Sequence, residues 1–140
     1  MNGKFFLDTN IFVYSFDKNS VVKLRRARQL VGRAVATRAG VVSYQVVQEF
    51  FNVALRKFTQ PMTLDEAEQY LNAVFRPLTA INSSLALYGE ALELTRKYRL
   101  SWYDSLIVAA AMEAQCNVLY SEDLQHGQKI GGLHIENPFL

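Results

Sequence analysis

Short apolar runs alternate along the chain with longer segments of helical period. The first run, KFFL at residues 4–7, ends abruptly at Asp8 and predicts a buried strand. A short helix from about Asn10 follows, then a long one over residues 20–38, whose apolar stripe is Leu24, Ala27, Val31 and Ala34. Residues 40–43 (GVVS) predict a second strand. Beyond it Val47, Phe50, Phe51, Ala54, Leu55 and Phe58 recur at helical spacing, an amphipathic helix.

Pro61 interrupts the pattern. Thr63-Leu64-Asp65-Glu66 then has the form of a capping box and predicts a helix start, with Leu64, Ala67, Leu71, Val74 and Phe75 on its buried face. Residues 77–81 form a third candidate strand. Asn82 or Ser83 would cap the next helix, which runs to about Tyr98. An Ala-rich helix is predicted over residues 103–115, a fourth strand over 117–120 (NVLY), and a last strand over 133–136 after Gly131-Gly132. Strands separated by helices require crossovers. The expected fold is therefore α/β, a three-layer α/β/α sandwich around a central parallel sheet of four to five strands. No repeat or linker divides the chain, so a single domain over residues 1–140 is expected.

Composition narrows the classes. Half of the 140 residues are apolar and a fifth are charged, the balance of a globular protein. No stretch has the roughly 20 apolar residues of a membrane span, and the N-terminus MNGKFFLDTN lacks the apolar run of a signal peptide. Cys116 is the only thiol, which leaves no intrachain disulfide or thiolate zinc site and makes the cytoplasm the expected compartment. A formal net charge of +2 does not mark a protein that coats nucleic acid, so any such contact must be local. P-loop, dinucleotide and nucleophile-elbow motifs are missing from the sequence, and His126 and His134 have no partner at ligand or triad spacing.

In a parallel α/β sheet, ligands bind beyond the carboxyl ends of the strands. Asp8 ends the first strand and Asp123 follows the fourth, in YSEDL. Glu49 lies early in the helix after the second strand, on a polar face with Gln45, Gln48, Asn52 and Arg56. Asp104 lies in the first turn of the Ala-rich helix. Four carboxylates from distant segments are thus expected at one rim. Two ionised carboxylates about 5 Å apart repel by about 3 kcal/mol at an effective dielectric near 20. Such a cluster needs retained protons or a cation, and an all-oxygen ligand set favours Mg²⁺ or Mn²⁺. Phosphodiester hydrolysis is the reaction that best uses this equipment. Each residue also has a plainer role open to it: Asp8 as a helix cap, Glu49 as a solvated side chain, Asp104 as partner of Ser101 in a capping box, and Asp123 as a turn residue.

The segments LDTNIFVYSF, SYQVVQEFFNV, SWYDSLIVAAA and LYSEDL, in this order, resemble the motifs of PIN-domain nucleases, especially VapC-like toxins. The resemblance spans nearly the whole chain. It implies that Asp8, Glu49 and Asp104 are the core acidic residues and Asp123 the fourth, catalytic and metal-holding, with Asn10 and Ser121 in support. Ser121 stands where Thr is commoner, and Glu122 leaves open which acid of that segment faces inward. It further implies a Mg²⁺- or Mn²⁺-dependent endoribonuclease acting on RNA, often a toxin restrained by a cognate antitoxin, and usually a homodimer. Among the residues of the basic helix 20–38, Arg25, Arg26 and Arg28 are candidates for phosphate contact, against a solvated basic face. Trp102 is a candidate for stacking on an unpaired base, as are Tyr14, Phe16 and Tyr103, for which core packing is the alternative. Two further readings stay open. A phosphatase of the haloacid-dehalogenase type would want a second Asp where the chain has Asn10. A non-catalytic PIN-like module that binds RNA or protein, or a housekeeping nuclease, would keep the fold without the toxin role.

Overall fold

The computed structural model describes residues 3–140; Met1 and Asn2, which belong to the N-terminal segment and to the expected 1–140 domain, lie outside the described residues. The strands are β1 (Phe5–Leu7), β2 (Gly40–Ser43), β3 (Thr79–Ile81), β4 (Val118–Tyr120), β5 (Lys129–Ile130) and β6 (Leu133–Glu136). The helices are α1 (Thr9–Tyr14), α2 (Val21–Thr37), α3 (Tyr44–Ala54), α4 (Leu64–Tyr70), α5 (Arg76–Leu78), α6 (Leu85–Tyr98) and α7 (Trp102–Glu113). A π-helical turn, Leu71–Phe75, joins α4 to α5.

The sheet has the order β3-β2-β1-β4-β6-β5 and is parallel except for β5, which pairs antiparallel with β6. This is the expected α/β/α sandwich with six strands instead of four or five. The extra strand is the two-residue β5, too short to show periodicity; Gly131, at φ +59°, makes the hairpin turn that returns it to β6. Right-handed crossovers place α1–α3 on one face and the α6–α7 pair on the other. Accordingly α1 packs on α2 and α3, and α6 on α7.

Successive crossovers start in opposite directions from the middle of the sheet. The chain leaves β1 toward β2, and later returns to β4 on the other side of β1. The carboxyl ends of β1 and β4 therefore flank a switch point, where the departing chains diverge and leave a crevice.

The first strand is fully buried, as KFFL predicts, and its Phe6 and Leu7 are inaccessible to solvent. Helix α2 buries Ala27, Leu30, Val31 and Ala34. Gly40 admits β2 close to this helix: a Cβ there would lie 2.1 Å from the Ala34 Cβ. In α3 the buried positions are Val46, Phe50 and Ala54, so the stripe is turned by one residue from the expected Val47-centred face, and the helix ends before Phe58. Phe50 sets that rotation. Its ring stacks on Tyr70 at 5.2 Å and meets Phe75 at 5.3 Å and Phe16 at 5.9 Å, a cluster that clamps α3 in place.

Several boundaries differ from expectation for local reasons. Thr63 and Glu66 do form the capping box, yet Leu64 is 77% exposed, its neighbours in the first turn of α4 are exposed too, and burial begins at Ala67. Residues 76–78 are helical, so β3 begins at Thr79; Pro77 suits a first helical turn. Ser84, not Asn82 or Ser83, caps α6 by accepting from the Leu87 N–H. The middle of helix α7 is covered on every side, with Ser105 through Ala111 all buried. Its small residues allow that: the Ser105 hydroxyl accepts from Thr95 of α6 at 2.7 Å. Cys116 is buried, and burial pushes its thiol up to about 11, an inert structural position.

Candidate active site

An open cleft of about 260 Å³ lies at the switch point. Asp8, Glu49, Asp104 and Asp123 all line it, with Thr9, Asn10, Gln45, Val53, Tyr103 and Ile107. Four carboxylates from the end of β1, from α3, from α7 and from the loop after β4 thus meet as expected, and no Lys, Arg or His is among the lining residues.

Asp8 is the deepest of them, 5% exposed. Its Oδ1 accepts from the Thr9 N–H at 2.7 Å and its Oδ2 from the Ser121 hydroxyl at 2.8 Å. It is therefore both the N-cap of α1 and a wall of the cleft; the cap and the site are not alternatives here. Burial drives its carboxyl up to about 7, opposed by the bonds from Ser121 and Thr9 and reinforced by the nearby charges of Asp123 and Glu49.

Two of the other three carboxylates, Glu49 and Asp123, are held by neutral donors. Glu49 accepts from the Thr9 hydroxyl at 2.6 Å and from Gln45 Nε2 at 3.2 Å. Gln45 also reaches the Tyr103 carbonyl at 3.3 Å, which ties α3 to the start of α7. Asp123 accepts from Asn10 Nδ2 at 2.9 Å, and its own N–H donates to the Ser121 hydroxyl at 3.2 Å. Partial burial raises the Asp123 carboxyl, followed by repulsion from Asp104 and Glu122, while Asn10 opposes the rise. At Asp104 only half of a capping box forms. The Ser101 hydroxyl accepts from the Asp104 N–H at 3.2 Å, but among the described residues no bond returns from the Ser101 N–H to the Asp104 carboxylate. That carboxylate is left to the cleft.

Glu122 points away. It accepts from Tyr14 at 2.6 Å and pairs with Lys23 at 2.6 Å, so Asp123 is the acid of this segment that faces the cleft. Burial pushes the Glu122 carboxyl up, but the bonds from Lys23 and Tyr14 outweigh that and hold it below its usual range.

The basic helix is largely engaged in packing. Arg26 Nε donates to the Pro138 carbonyl at 3.2 Å and Arg28 Nε to the Ser15 carbonyl at 2.9 Å. Arg33 bonds the Tyr120 hydroxyl and lies 4.5 Å over the Phe5 ring. Arg25 is exposed and makes no hydrogen bond or ion pair among the described residues. Trp102 packs on Tyr88, with ring centroids 5.9 Å apart, while its neighbour Tyr103, 63% exposed, lines the cleft. Phe16 belongs to the Phe50 cluster and Tyr14 to the Glu122 contact. His126 accepts the Asn137 N–H through Nδ1 and takes no part in the cleft.

Thr9 and Gln45 were not singled out by sequence reasoning as holders of Glu49, although Gln45 lies one helical turn before it. The role of Thr9 needs the 40-residue separation of Thr9 and Glu49 to be closed by folding.

The donor set suits a hard divalent cation: every candidate ligand is a carboxylate oxygen, and no basic lining residue offsets their charge. Among the described residues no three such side chains are already gathered closely enough to grasp one ion. The neutral ties to Thr9, Gln45 and Asn10 fix where Glu49 and Asp123 sit around the cleft.

Comparison with known proteins identifies the family and the fold. The family model for the PIN domain matches residues 5–129. A toxin–antitoxin complex from Klebsiella pneumoniae contains a chain of similar fold, with a TM-score of 0.66 and 21% identity over 95% of this chain and 96% of that one. VapBC2 from Rickettsia felis, bound to a DNA fragment from its promoter, contains another, with a TM-score of 0.62 and 18% identity over 94% and 96%. A comparison with curated protein sequences gives no match.

Proposed function

The chain belongs to the PIN domain family, and from that premise we propose that it is a divalent-metal-dependent endoribonuclease of the VapC toxin type, hydrolysing RNA phosphodiester bonds. The observation that carries the reading is the convergence of Asp8, Glu49, Asp104 and Asp123 on one cleft free of basic side chains.

In this reading Asp8, Glu49, Asp104 and Asp123 would hold Mg²⁺ or Mn²⁺, which would supply positive charge against the phosphate oxygens and acidify water at the site. The chain's own residues do the positioning. Ser121 and the Thr9 N–H fix both oxygens of Asp8, so that its carboxylate cannot rotate. Thr9 and Gln45 orient Glu49, and Asn10 orients Asp123. Without a cation, Asp8 retains a proton up to about pH 7, which relieves the repulsion among its neighbours. The cleft opens to solvent beside Tyr103, whose exposed ring offers a face on which an unpaired base can stack. Of the candidates Arg25, Arg26 and Arg28, Arg25 is the one that makes no hydrogen bond or ion pair among the described residues and so is free to meet a phosphate.

The two toxin–antitoxin neighbours support a cognate antitoxin as the partner. A homodimer and a cytoplasmic location complete the reading; among the described residues no helix is long and apolar enough to cross a membrane. Purified protein is expected to cleave single-stranded RNA with Mn²⁺ or Mg²⁺, and Asp104→Asn protein prepared in parallel is expected to be inactive. Full cleavage in EDTA, or by the mutant, would refute the metal mechanism.

A further inference from the structure

Glu122 adjoins the cleft residue Asp123, yet it has no part in the chemistry above. Both of its oxygens are taken by donors from the opposite side of the loop. Tyr14 of α1 donates to Oε1 at 2.6 Å, and Lys23 of α2 pairs with Oε2 at 2.6 Å. The two donors also meet each other: Lys23 Nζ is 3.3 Å from the Tyr14 hydroxyl and 4.5 Å from the centre of its ring. Phe139 closes the group, edge-on to Tyr14 at 5.0 Å. Among the described residues there are two ion pairs, and the other lies within α6, so Lys23–Glu122 is the one that joins separate elements.

A half-exposed ion pair contributes little to stability. Its effect on geometry is larger. Ser121, Glu122 and Asp123 are consecutive and their side chains diverge: Ser121 goes to Asp8, Glu122 to Lys23 and Tyr14, and Asp123 to the cleft. Fixing Glu122 at two points fixes the backbone that aims Asp123. Among the described residues Asp123 itself makes two further bonds, from Asn10 and from its own N–H to Ser121, while its segment is anchored at Ser121, whose N–H bonds the Glu136 carbonyl, and at the buried Leu124.

We propose that the Lys23–Tyr14 clamp on Glu122 is a positioning device that aims Asp123 into the cleft and thereby sets the affinity for the divalent cation, although none of its three residues lines the cleft. The proposal rests on the reading of Asp123 as a metal ligand.

The test uses the full chain and three substitutions whose charge changes differ in sign: Lys23→Met, Glu122→Gln and the neutral Tyr14→Phe. Mn²⁺ affinity is measured by calorimetric titration, RNA cleavage is resolved into kcat and KM, and melting is followed in EDTA. Positioning predicts that all three variants bind Mn²⁺ more weakly, by about tenfold. It also predicts that kcat falls, that KM for RNA and the EDTA melting midpoint stay nearly unchanged, and that Lys23→Arg recovers most of the affinity lost in Lys23→Met. A purely through-space charge effect predicts opposite signs, tighter Mn²⁺ binding in Lys23→Met and weaker in Glu122→Gln, with no change in Tyr14→Phe; that result overturns the proposal. Tyr14→Phe keeps the ring contacts and decides between the two should Lys23→Met fail to fold. Asp123→Asn, measured alongside, separates the premises: unchanged Mn²⁺ affinity there refutes the role of Asp123, whereas weakened affinity there with intact affinity in the clamp variants refutes the clamp alone.

Discussion

Replacing Asp8 by Asn should make the metal-free protein more stable near neutral pH while abolishing its activity. Burial holds the Asp8 carboxyl at about 7 in the folded chain, against 3.8 for an ordinary aspartate. The folded state therefore binds a proton that the unfolded state has already released between those two values. For a raised acid, stability is fullest below the unfolded pKa, declines as pH rises toward the folded pKa, and is flat above it. A difference of about three units corresponds to about 4 kcal/mol lost across that window. Asn carries no charge and escapes this loss, but it cannot accept through both side-chain atoms. The bond from Ser121 or from Thr9 must be given up or reversed, at a cost of about 1–2 kcal/mol. The net expectation in EDTA is a mutant less stable than wild type at pH 4.5 and more stable at pH 8 by about 2 kcal/mol, or about 6 °C in the melting midpoint. Taking the difference between the two proteins across pH cancels the other titrating groups. On the proposed reading of Asp8 as a metal ligand, saturating Mn²⁺ should reverse the order at pH 8, since the ion would stabilise the wild type more than a mutant that lacks that ligand. A wild-type-minus-mutant difference that stays level from pH 4.5 to 8 would refute the account of Asp8 as a desolvated carboxyl in an acidic cleft.

Asp104→Asn should leave stability in EDTA unchanged or slightly higher, because the cap bond runs from its backbone N–H to Ser101 and survives the change, yet cleavage should fall by orders of magnitude; a loss of about 1 kcal/mol with activity kept would return Asp104 to a capping role. Arg28→Ala should destabilise the fold by about 1 kcal/mol through the lost bond to the Ser15 carbonyl. Arg25→Ala should leave melting unaltered and reduce the salt dependence of RNA binding, and an unchanged salt slope would exclude it from the phosphate-contacting surface. Phe50→Ala, at the centre of the aromatic cluster behind α3, should cost about 3–5 kcal/mol in urea unfolding; a loss below about 1 kcal/mol would mean that the cluster does not anchor α3.

By itself the sequence determined the features that arise from local periodicity. Phe6 and Leu7 must be buried whichever strands they pair with, Thr63 and Glu66 close their capping box within one helical turn, and alternating strands and helices leave a parallel sheet as the economical arrangement. The rim of carboxylates was also legible, because a strand end fixes where Asp8 and Asp123 emerge. Tertiary structure decided what depends on partners remote in the chain. The face that α3 buries was set by the ring of Phe50 meeting Tyr70 and Phe75, which no window around residue 50 contains. The choice between Glu122 and Asp123 was made by Lys23 and Tyr14, about a hundred residues away in sequence. Arg26 and Arg28, indistinguishable from Arg25 in a run of basic residues, were drawn off to backbone carbonyls that only folding brings near them. The pKa of Asp8 likewise follows from burial, and burial belongs to the assembled sheet and helices around it.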